Sequence, residues 1–397
     1  MPTSFGTGLR MGADGRSVGA SAAAAAIESA NLSEPPDLAV VFCSSEYDYE
    51  AVVAGVGEVT GGASLIGCSS AGEFTEDGVE SGSVAVAVLR SDTHRTHTGL
   101  GDGLRSDETA VLEAASEEMP AHVDGYPHRS AVVLHDGLSG NGEELALSVP
   151  GVLGADTSLA GGSAGDDLLM ESTHVFCDGA VAEDAVSLGL FASTEPVVIS
   201  VAHGHETISP PLTVTAADGN VVHELNDRPA YEVWKEHVRE RVAADGHDVD
   251  ALEPGDEALS AALTNYAFGL ETGDGLKIRW PGPTKTTDGP LEFTCSIPEE
   301  TVMRVTAGSD EAQIESARRA AREAKQRVDG SAAGAVVFDC ICRSTALGDD
   351  FEVAVEAMYE ELDVPIVGFE TYGELAMEQG ELSGYHNTTS VIMLLPE

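Results

Sequence analysis

A seven-residue phrase that occurs three times constrains the fold of this chain more than any other feature. The copies span residues 67–73, 160–166 and 368–374. Each copy has a small residue, two variable positions, Ser or Thr, Ala or Tyr, Gly, and finally a carboxylate. A pattern repeated with such regularity indicates one supersecondary unit that is used three times.

Each phrase lies between two apolar runs, and these runs indicate strands. The upstream runs are residues 39–43, 131–135 and 335–339, and the downstream runs are 84–89, 185–191 and 390–395. Continuous apolar runs are typical of strands covered on both faces, and the interval before each phrase has room for one helix. The sequence therefore predicts an α/β fold of repeated strand-helix-strand units with glycine loops at the strand ends.

The position of the phrases predicts binding loops. Ligands of open α/β sheets bind beyond the carboxyl ends of the strands, and glycine allows backbone N–H groups to approach them. The alternative is that these loops are tight turns whose Ser and Glu side chains satisfy local backbone groups. On the first interpretation the candidate ligand-binding residues of the phrases are Cys68, Ser69, Ser70, Glu73, Ser163, Asp166, Tyr372 and Glu374.

The rest of the chain has simpler signals. An alanine-rich segment, 14–30, predicts a helix capped by Ser17, and 310–329 predicts a charged amphipathic helix. Between them, we expect a hairpin over 197–224, a helix over 226–243 and a loop over 244–256. Four short apolar runs predict an antiparallel meander: 266–270, 276–280, 291–296 and 303–306. We expect two domains, 1–210 with two repeats and 211–397 with the third.

The charge of the chain excludes several classes of partner. There are 68 acidic and 20 basic residues, a net charge of −48, while the hydrophobic content is 42%. A folded protein adapted to a high-salt cytoplasm fits this composition, because salt screens the repulsion. No basic stripe is present to bind nucleic acid or an anionic membrane. The sequence also has no apolar run of membrane-spanning length and no signal-peptide pattern, so we expect a cytoplasmic protein with free thiols.

The motifs resemble a known family. Residues 36–42 with 67–74 are similar to the N-terminal FIST domain, and residues 337–343 with 368–374 are similar to the C-terminal FIST domain. Together the two resemblances cover nearly the whole chain. They imply an intracellular sensory module that binds small ligands such as amino acids. They imply no catalytic residues. We also expect no cofactor, and we expect no appended kinase, cyclase or methyl-accepting region within residues 1–397.

A free amino acid needs a cation for its carboxylate and an anion for its ammonium group. Arg343 follows a buried strand and Arg279 ends another, so both are candidates for the carboxylate. Glu73, Asp166 and Glu374 are candidates for the ammonium group. On this hypothesis Arg343→Ala abolishes ligand binding and leaves the protein folded. Alternatively, Arg343 pairs internally with Glu374 or another loop carboxylate.

Thiols offer the main alternative function, a thiol-dependent hydrolase or transferase. Cys68 lies in a glycine loop in this interpretation, where backbone N–H groups lower the pKa of a thiol, and Cys340 ends a strand. His135, at the end of the equivalent strand, is the candidate base. The Cys340-x-Cys342 pair has no second pair at zinc spacing, and buried apolar cysteines are the simpler explanation.

The spacing of His203-x-His205 suits a metal pair on one strand face, but no third ligand is evident and a core pair is the alternative. We therefore expect no metal site. The sequence favours a small-molecule sensor that a downstream signalling protein reads, with a protein-binding scaffold as a third possibility.

Overall fold

The computed structural model describes residues 3–273, 275–282, 286, 289–378, 381 and 384–397. Its strands and helices follow the three repeats in order, with one long insertion in the third repeat.

The first unit has one helix before and one helix after its central strand. It contains β1 (Ser4–Arg10), α1 (Gly15–Ser29), β2 (Leu38–Ser44), α2 (Tyr49–Thr60), β3 (Ser64–Ser70), β4 (Glu73–Thr75), β5 (Gly78–Glu80) and β6 (Val84–Arg90). Asp14, not Ser17, caps α1, because the Asp14 side chain accepts a hydrogen bond from the Ser17 N–H. The predicted cap at Ser17 is therefore wrong by one helical turn.

The second unit has the same order of elements. It contains β7 (His94–Asp102), α3 (Glu108–Ser116), β8 (His128–His135), α4 (Gly142–Leu153), β9 (Thr157–Ser163), β10 (Val175–Cys177), β11 (Ala180–Ala182) and β12 (Ala185–Ser193).

The third unit opens with β13 (Val198–His203), and an antiparallel insertion follows. The insertion contains β14 (His205–Thr207), β15 (Leu212–Asp218), β16 (Val221–Leu225), β17 (Arg228–Pro229), α5 (Ala230–Ala244), α6 (Glu257–Asn265), β18 (Phe268–Thr272), β19 (Gly275–Arg279), β20 (Leu291–Glu292) and β21 (Val302–Gly308). The unit is then completed by α7 (Asp310–Arg327), β22 (Ala332–Cys340), α8 (Ile341–Leu347), a 3₁₀ turn (Gly348–Asp350), α9 (Phe351–Leu362), β23 (Ile366–Thr371), β24 (Glu374–Met377), β25 (Tyr385–His386) and β26 (Thr389–Pro396).

Each unit builds the body of one sheet, and the strand orders of the three bodies are equivalent. They run β1-β6-β2-β3, β7-β12-β8-β9 and β13-β26-β22-β23, with the last two strands of each body parallel. The predicted strands on both sides of each phrase are confirmed. The α/β class and the glycine loops at the strand ends are confirmed as well.

The hairpin that follows each phrase pairs with the sheet of a different unit. The β4–β5 hairpin of the first unit pairs with β23 of the third unit. The β10–β11 hairpin of the second unit pairs with β3 of the first, and the β24–β25 hairpin of the third pairs with β9 of the second. The three sheets are thus joined in a closed cycle of exchanged hairpins.

A single apolar cluster lies between the three sheets. It contains Phe42 from the first sheet, Leu134 from the second, and Phe338 and Phe369 from the third, all buried. The ring centroids of Phe42 and Phe369 are 4.4 Å apart. Burial of aromatic side chains from different sheets in one core favours cooperative folding of the units.

The insertion differs in part from the predicted meander. Its strands pair in the order β17-β16-β15-β21-β18-β19, so β21, last in the sequence, lies centrally, and β20 pairs with β16. The predicted hairpin over 197–224 is split, because β13 pairs with β26 while β15 and β16 form the hairpin. The helices predicted over 226–243 and 310–329 are present as α5 and α7.

The predicted domain division at residue 210 stays a prediction. Across the described ranges of the chain, no helix is both long and apolar enough to cross a membrane.

Candidate functional site

The three phrases meet one another through backbone hydrogen bonds. The Ala71 N–H donates to the Glu370 carbonyl at 3.2 Å, and the Glu370 N–H donates to Gly72 at 2.9 Å. The Ser163 N–H donates to the carbonyl of Gly373 at 2.8 Å. The cycle is closed by Gly165 and Asp167, whose N–H groups donate to the carbonyls of Ser69 and Ser70 at 3.0 and 3.1 Å. The loops at the strand ends therefore form one continuous ring.

The closing carboxylates of the first and third phrases are buried in equivalent hydrogen-bond networks. Glu73 accepts hydrogen bonds from Ser70 and, at 2.6 Å, from the Ser83 hydroxyl. Glu374 accepts from Thr371 at 2.5 Å and from the Thr389 hydroxyl at 2.6 Å. Burial raises the pKa of Glu73 to about 8, and burial raises the pKa of Glu374 well above its ordinary value. Both carboxylates therefore accept hydrogen bonds from hydroxyl groups of the protein itself, as the turn interpretation predicts.

The second phrase makes different contacts. The Asp166 carboxylate accepts hydrogen bonds from the N–H groups of Met170, Glu171 and Ser172 at 2.7–3.1 Å. It also accepts one from the Tyr372 hydroxyl at 2.5 Å. Asp166 therefore folds the loop that follows β9 back on itself and joins it to the third phrase.

Ser163 of the same phrase contacts His135 at the end of β8. The Ser163 hydroxyl lies 2.9 Å from His135 Nε2, and His135 Nδ1 lies 3.0 Å from the Asp136 carbonyl. Because a carbonyl can only accept, Nδ1 carries the proton and Nε2 accepts from Ser163. Burial lowers the pKa of His135 to about 4, so the imidazole is neutral at neutral pH.

A cavity of about 330 Å³ opens beside this ring, at the carboxyl ends of β8 and β22; we call it the strand-end cavity. Three parts of the chain line it. The second unit contributes His135, Gly137, Leu138, Gly140, Gly142, Leu168 and Met170. The insertion contributes Asn220, Ser260, Trp280, Phe293 and Thr294, and the rest of the third unit contributes Cys340, Ile341, Cys342, Tyr372, Tyr385 and Asn387.

The lining is aromatic and apolar, with a few neutral polar groups. Trp280, Phe293, Tyr372 and Tyr385 provide the aromatic surface, and none of the described lining residues is an Asp, Glu, Lys or Arg. The Asn387 side-chain oxygen accepts hydrogen bonds from the backbone N–H of Trp280 at 3.2 Å and from the Thr294 hydroxyl at 3.1 Å. Such a site suits one drug-sized or smaller organic molecule.

Helix α4 begins at this cavity. Gly140 and Gly142 line the cavity on either side of Asn141, the N-cap residue, whose side chain makes no capping hydrogen bond. The first N–H groups of a helix carry a partial positive charge and bind anionic groups when no side chain caps them. These N–H groups could stabilise an acceptor group of a ligand, against the opposing negative charge of Glu143 and Glu144 in the same turn.

The predicted site residues lie in different parts of the structure. Tyr372 and Cys340 line the cavity. Ser69, Ser70, Glu73, Ser163, Asp166 and Glu374 belong to the ring and are buried in it, whereas Cys68 is buried within β3. The two arginines lie elsewhere, and their ligand-binding role stays a prediction.

Arg343 is fully buried and its guanidinium makes four internal hydrogen bonds. It donates to Asp339 at 2.7 Å, to the side chain and carbonyl of Gln313 at 2.6 and 3.1 Å, and to Ser316 at 2.9 Å. Arg279 donates to the Tyr385 carbonyl at 2.8 Å, and its guanidinium lies 3.6 Å from the Glu143 carboxylate. Arg343 thus pairs internally, with Asp339 as the carboxylate and not with Glu374.

The expectation of a lowered pKa at Cys68 is wrong. Cys68 lies inside β3, paired with Phe42 and Val175, and not in the glycine loop. Burial raises its pKa well above the ordinary value, and burial does the same for Cys340. All six cysteines are free and buried.

The histidines 203 and 205 do not form an open metal pair. His203 Nε2 lies 3.0 Å from the Leu276 carbonyl, and His203 Nδ1 accepts from the His205 N–H at 3.2 Å. Both ring nitrogens of His203 are therefore engaged. The described residues contain no cluster of three or more His, Cys, Asp or Glu side chains that could hold a metal ion.

Of the four described aromatic residues that line the cavity, only Tyr372 is a candidate from the sequence. Trp280 and Phe293 lie in the insertion, and Tyr385 lies in a hairpin that pairs with another unit. One signal was available: Trp is used only twice in the chain, and Trp280 directly follows Arg279 at a strand end.

Comparisons with known proteins identify two adjoining domains. The FIST N domain model matches residues 37–228, and the FIST C domain model matches residues 230–377. A comparison with curated proteins gives no match. Among solved structures, a crystal structure of cyanuric acid hydrolase from A. caulinodans is similar at 11% identity with a TM-score of 0.28, covering 48% of this chain and 71% of that one. A TM-score this low supports no inference about fold or activity.

Proposed function

Because this chain belongs to the FIST family, whose domains are known as small-ligand-binding sensory domains in signalling, we propose that it is a sensor whose ligand binds in the strand-end cavity. The observation that carries the proposal is the lining of this cavity by the second unit, the insertion and the third unit together. A ligand there contacts both family domains at once.

An amino acid with an apolar side chain is the proposed ligand class. Because none of the described lining residues is charged, neutral groups would replace the cation and anion expected from the sequence. The carboxylate of the ligand would accept from the uncapped N–H groups at the start of α4, beside Gly142. Its side chain would pack on Trp280 and Phe293, and neutral oxygen acceptors such as that of Asn220 would take the ammonium protons. A cavity of about 330 Å³ is large enough for an amino acid of any side-chain size.

The proposed output is a change in how the insertion sits against the second unit. A ligand that binds one arrangement of these parts more tightly than another shifts the population towards that arrangement. A downstream signalling protein would read this shift, and the proposal places both proteins in a high-salt cytoplasm.

The thiol chemistry favours a sensor over a thiol-dependent hydrolase or transferase. A nucleophilic cysteine needs thiolate character and a histidine base. Burial raises the pKa of both Cys68 and Cys340, and His135 Nε2 already accepts from Ser163.

A thermal-shift screen in molar KCl tests the proposal. The panel contains the amino acids and, as matched controls, their carboxamides, which lack the carboxylate. A true ligand at 100 times its dissociation constant stabilises the folded state by about 2.7 kcal/mol. We expect a saturable rise in the unfolding midpoint with apolar amino acids and a smaller one with their amides.

Two variants then locate the site. Trp280→Ala removes one wall of the cavity and should weaken binding at least tenfold, measured by calorimetric titration. Tyr359→Ala, at a half-exposed aromatic residue on α9 outside the cavity lining, should leave the affinity unchanged. A panel without any response, or equal affinities in both variants, contradicts the proposal.

A further inference from the structure

Three consecutive large apolar side chains are exposed next to the strand-end cavity. Leu168, Leu169 and Met170 have exposed fractions of 55%, 60% and 54%. The chain has a net charge of −48, and its surface is otherwise rich in carboxylates. Exposure of such an apolar cluster to water is unfavourable in free energy, and it indicates a binding surface.

The loop that carries them is tightly held. Its Met170 N–H donates to Asp166, and its Leu168 N–H donates to the Tyr372 hydroxyl at 2.8 Å. Asp167 anchors the start of the loop, since its carboxylate accepts from Ser44 and from the backbone and hydroxyl of Ser45. The exposure of the apolar side chains is therefore a property of an ordered loop.

The loop also holds unfavourable backbone conformations. The φ angles of Asp167, Leu168 and Met170 are 52°, 63° and 56°, a region that residues with large side chains rarely adopt. Strain of this kind persists where surrounding contacts impose it, and it clusters at ligand clamps. Two of the three strained residues, Leu168 and Met170, line the same cavity.

Leu168 and Met170 both line the strand-end cavity, whereas Leu169 between them does not. We propose that Leu168 and Met170 form an apolar mouth that selects ligands by the length of their apolar side chain. The ligand class is then narrowed to amino acids whose side chain extends to this mouth, such as leucine, methionine, phenylalanine and tryptophan. The inference rests on the proposed function, because it assigns specificity to the same site.

Tyr372 connects the mouth to the interior of the cavity. Its side chain lines the cavity, while its hydroxyl donates to Asp166 and accepts from the Leu168 N–H. A ligand that packs against the Tyr372 ring is therefore in contact with the residue that positions the mouth.

The test compares two variants in calorimetric titrations with alanine, leucine, methionine and phenylalanine. The first is the double variant Leu168→Asn/Met170→Asn, and the matched control is Leu169→Asn. Asn tolerates positive φ angles, so the loop conformation is retained, and thermal unfolding verifies the fold. We expect the double variant to lose at least tenfold in affinity for phenylalanine and less than twofold for alanine, while the control behaves as the wild type.

The other outcomes separate the two proposals. If the wild type binds none of the four amino acids, the amino-acid site and its selective mouth both fail. Two results would contradict the selective mouth and still leave the cavity as a ligand site. In the first, the wild type binds phenylalanine but the Leu169→Asn control loses as much affinity as the double variant. In the second, the double variant loses equal affinity for alanine and phenylalanine.

Discussion

At the scale of single residues, the ring depends on carboxyl groups that keep their protons. Glu73 is completely buried, and it has hydroxyl and amide partners but no cation among its donors in the described part of the chain. The unfolded chain releases this proton near pH 4.5, whereas the folded state holds it up to about pH 8. The contribution of Glu73 to the free energy of unfolding is therefore complete below pH 4.5 and is lost as the pH rises to about 8.

Glu73→Gln should remove this pH dependence, because Gln cannot ionise. We expect the free energy of unfolding of the variant, relative to the wild type, to rise by up to about 1.4 kcal/mol per pH unit between pH 5 and 8. Urea unfolding in molar KCl at four pH values measures it. Glu80→Gln, at the exposed partner of Glu73 across the β4–β5 ladder, is the control and should run parallel to the wild type.

Arg343→Ala should destabilise the protein strongly. It leaves the buried Asp339 carboxyl with Ser390 as its remaining partner, and removal of one member of a buried ion pair costs about 3–5 kcal/mol. The double variant Arg343→Met/Asp339→Asn should recover most of the loss, as measured by urea unfolding. If Arg343→Ala is as stable as Arg318→Ala, at a partly exposed arginine on α7, the internal role of Arg343 is contradicted.

The sequence indicated the ring residues but not which of them bind ligand. The repeated Ser or Thr and carboxylate signalled a shared contact, and Glu73 and Glu374 do share one. Burial decides whether such a pair faces a ligand or the protein, and burial depends on distant segments. Arg343 is a candidate from the sequence because it follows a buried strand, yet its partner Asp339 lies only four residues away, within that strand.

At the scale of elements, the exchanged hairpins make neighbouring units depend on one another. Phe74 of β4 lies opposite Gly368 of β23 in the ladder between the first and third units. A Cβ added at Gly368 would lie 2.2 Å from the Phe74 ring, so the close packing requires glycine there.

A double-mutant cycle tests this packing. Gly368→Ala should destabilise the protein by about 2–3 kcal/mol through overpacking. Phe74→Ala should cost about 3–5 kcal/mol through the cavity that it leaves. The combined variant should cost clearly less than the sum, because the new methyl group occupies space that the ring vacates. Additive losses in urea unfolding would contradict the exchange of this hairpin.

The strands and most helices could be predicted because apolar runs and glycine loops are local signals. The strand with which each hairpin pairs could not be predicted. The edges of β3, β9 and β23 are similar, and only the three-dimensional packing selects one of them for each hairpin. The order of strands in the insertion failed for the same reason, as β21 reaches the centre of its sheet from the end of the segment. The cavity walls come from residues more than 100 positions apart, such as Leu138 and Trp280, which no spacing rule brings together.

At the scale of the whole molecule, we expect one cooperative unfolding transition. Both tryptophans, Trp234 and Trp280, lie in the insertion, so their fluorescence reports on that segment, while far-ultraviolet circular dichroism reports on all sheets. Because the shared core and the exchanged hairpins couple the parts, the two signals should give the same midpoint in urea. A fluorescence transition that precedes the loss of circular dichroism would instead show an independently unfolding insertion.

The closed cycle of hairpins also limits how this architecture can grow. In a linear array of repeats, each unit contacts only its neighbours, and units are added or lost at the ends. Here each unit gives a hairpin to one partner and receives one from the other, so removal of any unit leaves a sheet edge unpaired and a hairpin without a sheet. Segments can therefore be inserted within a unit, as the third unit illustrates, but the number of units is held at three.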